Sequence, residues 1–386
     1  MANNVKVWLY SSDPSVYNDA TAYAVSVSIT TGKSRTLDHY EPGSVSITFN
    51  NYNRVFDPTN VSSPFYGYIK PKQRVYVSVS GYALFSGLVD DWSFNYDVNG
   101  EAFAYLTATD KTSLFANQYL PAQTFPAELS GARVSRILND DAVAWPTSYG
   151  SQVISTGTQM LDADTISANT NVLDYLRQIE TSEQGQLYIS GTDSLKFKDN
   201  NYSVSDLASL PVFADDGTGW GYDSIDVSYS SQLLYNRIEV NTWDALTSIT
   251  ANSSDSQTSY GIYKLTIDGV LYTDTDKLKN LCSLISSKYS QPEYRFNSVR
   301  LNYYALSNSD QDLVSSTLIL NSFASVKYTP NGTGSVIQKY VRIIGVNHDI
   351  SPGSHFVTYQ LESIKNPSLV LDDSEFGKLD YYSLGL

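Results

Sequence analysis

Phe85-Ser-Gly-Leu-Val-Asp-Asp-Trp92, followed after a turn by Thr107-Ala-Thr-Asp110, is the stretch whose reading decides the fold. The turn is Asp97-Val-Asn-Gly100. Asn-Gly readily supplies the positive φ angles of a tight hairpin, so Asn99-Gly100 predicts two long antiparallel strands on either side. Leu84, Gly87 and Val89, then Trp92, Phe94 and Tyr96, alternate along the first. Along the second, Ala102, Ala104 and Leu106 alternate with Phe103, Tyr105 and Thr107. Asp110 ends that strand and is placed to cap a short helix over Thr112-Ser-Leu-Phe-Ala116.

The same period of two extends outward. Val5-Lys-Val-Trp-Leu-Tyr10, Val25-Ser-Val-Ser-Ile29, Ser44-Val-Ser-Ile-Thr-Phe49 and Arg74-Val-Tyr-Val-Ser-Val79 each give one apolar and one polar face. Asn50-Asn-Tyr-Asn-Arg-Val-Phe-Asp-Pro-Thr-Asn60 is loop chemistry. Further on, Val134, Ile137 and Leu138 share a helical face behind Ser130 as N-cap. Val172, Leu173, Leu176 and Ile179 do the same behind a cap at Asn169, Thr170 or Asn171. A hairpin turning at Gly191-Thr-Asp193 follows. Strands return at Asn236-Arg-Ile-Glu-Val-Asn-Thr-Trp243, Tyr340-Val-Arg-Ile-Ile-Gly-Val346 and Phe356-Val-Thr-Tyr-Gln-Leu361. One helix interrupts them, with Leu278, Leu281, Cys282 and Ile285 at helical spacing. The predicted fold is mainly β with an α+β insert. Two antiparallel β-barrel domains, residues 1–110 and 226–365, flank a helical and hairpin domain, residues 111–225. Residues 366–386 read as an extended C-terminal arm that docks on a neighbour. No strict sequence repeat is visible.

Composition narrows the function. The 386 residues carry 25 Lys+Arg against 40 Asp+Glu, a formal net charge of -15, which repels phosphate backbones and anionic lipid. The 31 tyrosines and frequent hydroxyl residues suit strands with much surface in contact with other subunits. Cys282, the single cysteine, reads as a small buried hydrophobe. The N-terminal Met1-Ala-Asn-Asn has no basic or apolar leader, and no run is apolar enough for a membrane anchor.

Candidate chemistry is sparse. Asp90-Asp91, Asp140-Asp141 and Asp215-Asp216 invite an acid–base reading, but adjacent carboxylates on a strand point to opposite faces. They are expected in turns and caps. Asp162-Ala-Asp164 and Asp274-Thr-Asp276 lack the Gly and distal Glu of a calcium loop. His39, His348 and His355 are too few and too scattered for a zinc site, although a Pro-Gly turn lets His348 and His355 face each other. Trp8, Trp92, Trp145, Trp220 and Trp243 suit cores or subunit contacts better than sugar platforms. Asp216-Gly-Thr-Gly-Trp-Gly221 lacks the Lys of a phosphate loop. The expectation is a non-enzyme with no catalytic residue, no metal ligand and no cofactor.

A series of short landmarks runs in order through the chain: Asn53-Arg-Val-Phe-Asp-Pro58, Ser63-Pro-Phe-Tyr66, the hairpin above, Gly131-Ala-Arg133, Trp145-Pro146 and Thr156-Gly157. Ser182-Glu-Gln-Gly-Gln-Leu-Tyr188, Leu234-Tyr-Asn-Arg-Ile238, Ser259-Tyr-Gly261, Pro292 and Ile350-Ser-Pro352 continue it. Over residues 20–365 this order resembles the tail-hub (baseplate hub, minor tail) proteins of long-tailed bacteriophages, with Val55 as a small departure from the pattern. The resemblance implies a structural virion protein at the tail tip, assembled in the bacterial host cytoplasm as a homotrimer. Two barrels per chain would adapt a sixfold tail tube to a threefold spike or fibre. The implied partners are the distal tail or tail tube protein, the tape-measure protein and a tail-tip fibre, spike or receptor-binding protein. DNA is met only in transit, through a channel expected to be acidic and hydroxyl-lined. Two other readings are a receptor- or glycan-binding β protein of the tail tip and a wall-degrading enzyme.

Overall fold

The computed structural model describes residues 4–13, 15–98, 100–143, 145, 150–200, 209–330 and 334–364. Asn99, Pro146 and the arm at 366–386 lie outside the described residues. The chain is mainly β, as expected. A 13-stranded sheet dominates it. Tyr17–Asp19 is a short strand at one end of that sheet. The other strands are β1 Val5–Tyr10, β2 Ala24–Gly32, β3 Glu41–Asn50, β4 Arg74–Val79, β5 Tyr82–Tyr96 and β6 Ala102–Thr109. They continue as β7 Val212–Ala214, β8 Ser224–Tyr229, β9 Tyr294–Asn302, β10 Phe323–Tyr328, β11 Ile337–Ser351 and β12 Ser354–Ser363.

The sheet is one ladder built twice. The first half runs β2-β3-β6-β5-β4-β1 and the second β8-β9-β12-β11-β10-β7, the same order from strands in the same chain sequence. Register agrees as well as order. Trp92, Leu106, Ile47 and Val27 lie opposite one another across the first half. Val346, Tyr359, Val299 and Ile225 do so across the second. Each half also carries a bulge at the corresponding place. In β5 the register shifts between Val89 and Asp91, and in β11 between Ile343 and Gly345. A bulge re-aims a long strand and lets its two ends meet different neighbours. The halves differ where β1 pairs antiparallel with β4 while β7 runs parallel to β10.

β11 joins the halves. Along one edge its first part pairs with β10, from Ile337 to Arg342, and its second part with β2, from Gly345 to Ile350. The strands alternate as read from sequence. Val27, Ile29, Val45, Ile47 and Phe49 are buried, with Ser28, Thr30, Ser44 and Ser46 exposed between them. Burying a side chain of this size stabilises the fold by roughly 1.5–3 kcal/mol. One apolar cluster runs through both halves, from Val5 and Phe49 to Val299 and Tyr359.

The second cluster lies beside the sheet and corrects the expected division of the chain. It joins Phe115, Val134, Leu176 and Phe197 to Ile238, Val240, Leu278, Cys282 and Ile285. The stretch between 237 and 289, read as part of the second β module, therefore packs with the insert. Its strands Arg237–Thr242, Ser248–Asn252 and Lys264–Val270 form a separate sheet covered by the helix Thr275–Tyr289. Conversely, Val212–Ala214 was read as insert and belongs to the large sheet through its pairing with β10. Alternation marks a strand but does not say which sheet it joins. Among the described residues no helix is long and apolar enough to cross a membrane.

The seam leaves no space for side chains at two glycines. A Cβ on Gly32, whose φ is +91°, would lie 2.7 Å from the Gly345 Cα and closer still to the Ile344 carbonyl. One on Gly345 would lie 2.6 Å from the Lys33 carbonyl oxygen. Gly81 shares the positive φ, +86°, but has open space around it. Equilibrium urea unfolding should therefore show Gly32→Ala to be destabilised by about 2–3 kcal/mol, through strain and overpacking together. Gly81→Ala should lose only about 1 kcal/mol. Equal losses at the two sites would contradict a tightly packed seam.

Candidate assembly interface

Asp110 sits where β6 leaves the sheet and enters the insert; it is not the cap expected for the helix Thr112–Phe115, a position Lys111 takes, but anchors the turn before it. Its carboxylate accepts hydrogen bonds from the Thr112 amide at 2.9 Å and the Gly43 amide at 2.7 Å. Burial pushes this carboxyl up to about 6. Next to it, the fully buried Lys111 ammonium lies 2.7 Å from the equally buried carboxylate of Asp193, with Arg74 3.8 Å away. Asp193 is the turn residue of the hairpin Gln186–Ile189 and Leu195–Lys198, held at φ 68°. Burial works against both charges, pushing Asp193 up and Lys111 down, and each charge is compensated chiefly by the other. At the same tip, a Cβ on Gly191 would lie 2.6 Å from the Ala83 carbonyl oxygen of β5. An ion pair and a glycine thus dock the insert hairpin on the first half of the sheet.

A second attachment gathers around the connection between β2 and β3. His39 is 2.7 Å from the carboxylate of Glu180, which also accepts the Leu187 amide at 3.0 Å. Tyr40 stacks on Tyr188 at 5.3 Å between ring centroids, and burial pushes both hydroxyls up. Inside the insert, Asn171 caps the helix Val172–Glu183 by accepting from the Asp174 amide at 3.2 Å. Ser130 is not the cap expected for Ser130–Leu138. It is the helix's first residue, and its hydroxyl donates to buried Glu183 at 2.7 Å. Glu183 also accepts from the Thr158 and Gln159 amides, so the insert's helices and loops meet at one carboxylate. Sequence reasoning missed Lys111, Glu180 and Glu183, because only the tertiary fold supplies their partners.

The paired carboxylates are spent on local structure. Asp90 occupies the β5 bulge, 2.8 Å from the Lys72 ammonium and 2.8 Å from the Thr109 hydroxyl, while Asp91 is exposed on the next turn of the pleat. Asp140 accepts from the Ala142 amide and the Gln123 side chain, both at 2.9 Å. Asp215 accepts from the Thr329 amide, and Asp216 from the Thr218 amide and hydroxyl. Asp162 accepts from Thr273, Asp164 from the Tyr175 hydroxyl, and Asp274 caps the helix Thr275–Tyr289. Among the described residues no group of three or more His, Cys, Asp or Glu is arranged to hold a metal ion. Of the tryptophans, Trp145 is buried and stacks on Phe115, and Trp92 stacks on Phe49 and Phe56. Trp220 donates to Asp310 at 3.0 Å. Cys282 is buried.

His348 and His355 do face each other across the β11–β12 hairpin, with Nδ1 of His348 3.0 Å from Nε2 of His355. His355 is fully buried and lies 4.4 Å from the Tyr303 ring. Burial pushes His348 down to about 4, and burial with the charge of His348 pushes His355 down to about 2. Burial therefore favours the neutral form of both rings, and His348 lies on the seam strand itself, opposite Ile29.

No protein-family model and no curated protein sequence matches the chain. Solved structures do. The 43 kDa tail protein of prophage MuSo2 from Shewanella oneidensis superposes with a TM-score of 0.63 at 11% identity, over 93% of this chain and 96% of that one. The tail protein from Neisseria meningitidis MC58 gives 0.64 at 10% identity, over 93% and 96%. A chain of the lidless PdpA–VgrG complex gives 0.50 at 10% identity, over 95% of this chain and 66% of that one. The fold is that of phage tail proteins over nearly the whole described chain.

Two measurements test this description of the contacts. Lys111→Met leaves the Asp193 carboxylate buried without its main partner and should cost about 3–5 kcal/mol in urea unfolding. A loss under 1 kcal/mol would show that the pair does not hold the hairpin. The buried histidines take up protons less readily in the folded chain than in the unfolded one, so acid favours unfolding. Their contribution is complete above about pH 6.5 and falls as the pH drops toward 4. Between pH 7 and pH 4 the protein should lose about 3 kcal/mol or more beyond the loss of a His348→Leu/His355→Phe variant. Parallel pH profiles for the two proteins would contradict the buried, neutral pair.

Proposed function

We propose that this chain is a structural, non-enzymatic protein of a phage tail, acting as the tail-tip hub. The observation that carries the reading is the doubled ladder. One chain contains two copies of the same six-strand arrangement, joined edge to edge by β11 and β2. Three chains in a closed ring then offer six equivalent ladders to a sixfold tube, while keeping threefold symmetry for a spike, fibre or receptor-binding protein on the far side. The match in fold to tail proteins supports the placement in the virion tail. Each ladder curls into a barrel in this reading, and the tube protein and tape-measure protein are its partners on the tube side.

The face of the sheet turned away from the apolar cluster supports a channel. Across the seam it presents Ser26, Ser28 and Thr30 of β2, Ser46 and Thr48 of β3, Thr107 of β6 and Asp91 and Ser93 of β5. Its second half presents Asn347 and Asp349 of β11, Thr358 and Gln360 of β12, Ser298 and Arg300 of β9 and Asp226 of β8. The basic side chains on this face are Arg300, which lies over the Phe356 ring, and Arg295, opposite Ser228. A hydroxyl and carboxylate lining gives DNA little to hold as it slides past.

Light scattering on the purified protein over a concentration series should approach a three-chain mass. A plateau at two or six chains would overturn the threefold reading. The same protein should not hydrolyse peptidoglycan or polysaccharide. Hydrolysis that disappears on Asp90→Ala, Asp91→Ala or His348→Ala would overturn the non-enzymatic one.

A further inference from the structure

The internal seam has a counterpart that one chain leaves open. In β11, residues after the bulge pair with β12 on one edge and with β2 on the other. The corresponding residues of β5, 91–96, pair with β6 on one edge, and among the described residues no strand occupies the other. The strand that corresponds to β2 is β8. Its inner edge pairs with β9, and it stands at the end of the sheet, with no strand among the described residues on its outer edge. Both free edges carry the half-exposed apolar side chains Trp92, Phe94, Ile225 and Val227, packed against the shared cluster. At the seam the corresponding side chains Val346, His348, Val27 and Ile29 are buried. The two edges are what a seam looks like before its halves meet.

We infer that residues 91–96 of β5 in one chain pair with β8 of a second copy of this chain, in the register of the β11–β2 seam. This rests on the threefold ring proposed above and specifies its subunit contact. The register follows from the ladder equivalence. His348 opposite Ile29 becomes Phe94 opposite Val227. Ile350 opposite Val27 becomes Tyr96 opposite Ile225, and Val346 opposite Thr31 becomes Trp92 opposite Tyr229. On the other face, Asn347 opposite Thr30 becomes Ser93 opposite Ser228. Asp349 opposite Ser28, hydrogen-bonded at 3.1 Å, becomes Asn95 opposite Asp226, an amide facing a carboxylate. The apolar pairs continue the core from one chain to the next, and the polar pairs continue the exposed face. Because the two edges differ, the contact is head-to-tail and repeats around a ring until it closes. It also covers strand edges that a free chain leaves open to misassembly.

Disulfide trapping tests the register. Directly opposed residues of an antiparallel pair lie within disulfide reach, and the native Cys282 is buried. Full-length Ser93→Cys/Ser228→Cys protein, oxidised at a concentration where light scattering shows the oligomer, should run as a three-chain band on a non-reducing gel. The out-of-register Ser93→Cys/Ser224→Cys protein should stay largely at one chain. An oligomer of three that fails to cross-link through 93 and 228, or cross-links equally through 93 and 224, overturns this junction and leaves the threefold reading standing. A protein that remains monomeric and uncross-linked at every concentration overturns both.

Discussion

The structure depends on one strand changing partners along a single edge. β11 is long enough for its first part to complete the second ladder and its second part to receive β2 of the first. The bulge between Ile343 and Gly345 separates the two parts, and the approach of Gly32 to Gly345 leaves no space for a side chain between them. With that seam in place, the two ladders form one sheet with a shared apolar cluster and a hydroxyl-rich face. Without it, β2 and β11 would be two more open edges, and the apolar cluster would be split between ladders with nothing to orient them.

The insert is held to this frame by polar groups where the ladders are held to each other by backbone pairing and apolar contact. Lys111 and Asp193 are buried together, and His39 with Glu180 and Tyr40 with Tyr188 tie the same insert to the connection between β2 and β3. Polar contacts of this kind fix orientation strongly, since a buried charge tolerates few alternative partners. They suit a part that must project at a defined angle from the sheet. The buried His348–His355 pair lies at the seam itself, where burial pushes both rings down toward the neutral form.

Much of this was legible in the sequence, and the exceptions share a cause. Alternation and the Asn-Gly turn located the β5–β6 hairpin, helical spacing and Asn171 located Val172–Glu183, and the Pro-Gly turn placed His348 against His355. The repeat was not legible. Trp92 corresponds to Val346 and Leu106 to Tyr359, and these pairs share nothing but apolar character and register. A ladder is specified by the alternation and direction of its strands, so its two copies can diverge in every side chain that packs. The sheet at 237–270 was misplaced because Ile238 and Val240 alternate as any half-buried strand does, while their packing partners Leu278 and Cys282 lie on a helix further along the chain. Of the acid pairs expected in turns and caps, Asp140 and Asp216 do take amides two residues on, whereas Asp90 and Asp91 lie within β5 and Asp215 accepts from Thr329 far along the chain.

The central claim is that two ladders in one chain make a sixfold feature from three chains. An electron cryomicroscopy reconstruction of the assembled particle, computed without imposed symmetry, tests it most directly. The account predicts three chains around an open axis, six β lobes at equal angular spacing, and the face bearing Ser28, Thr107 and Asp349 turned toward the axis. Six chains around the axis, or two lobes per chain at unequal spacing with that face turned outward, would contradict it.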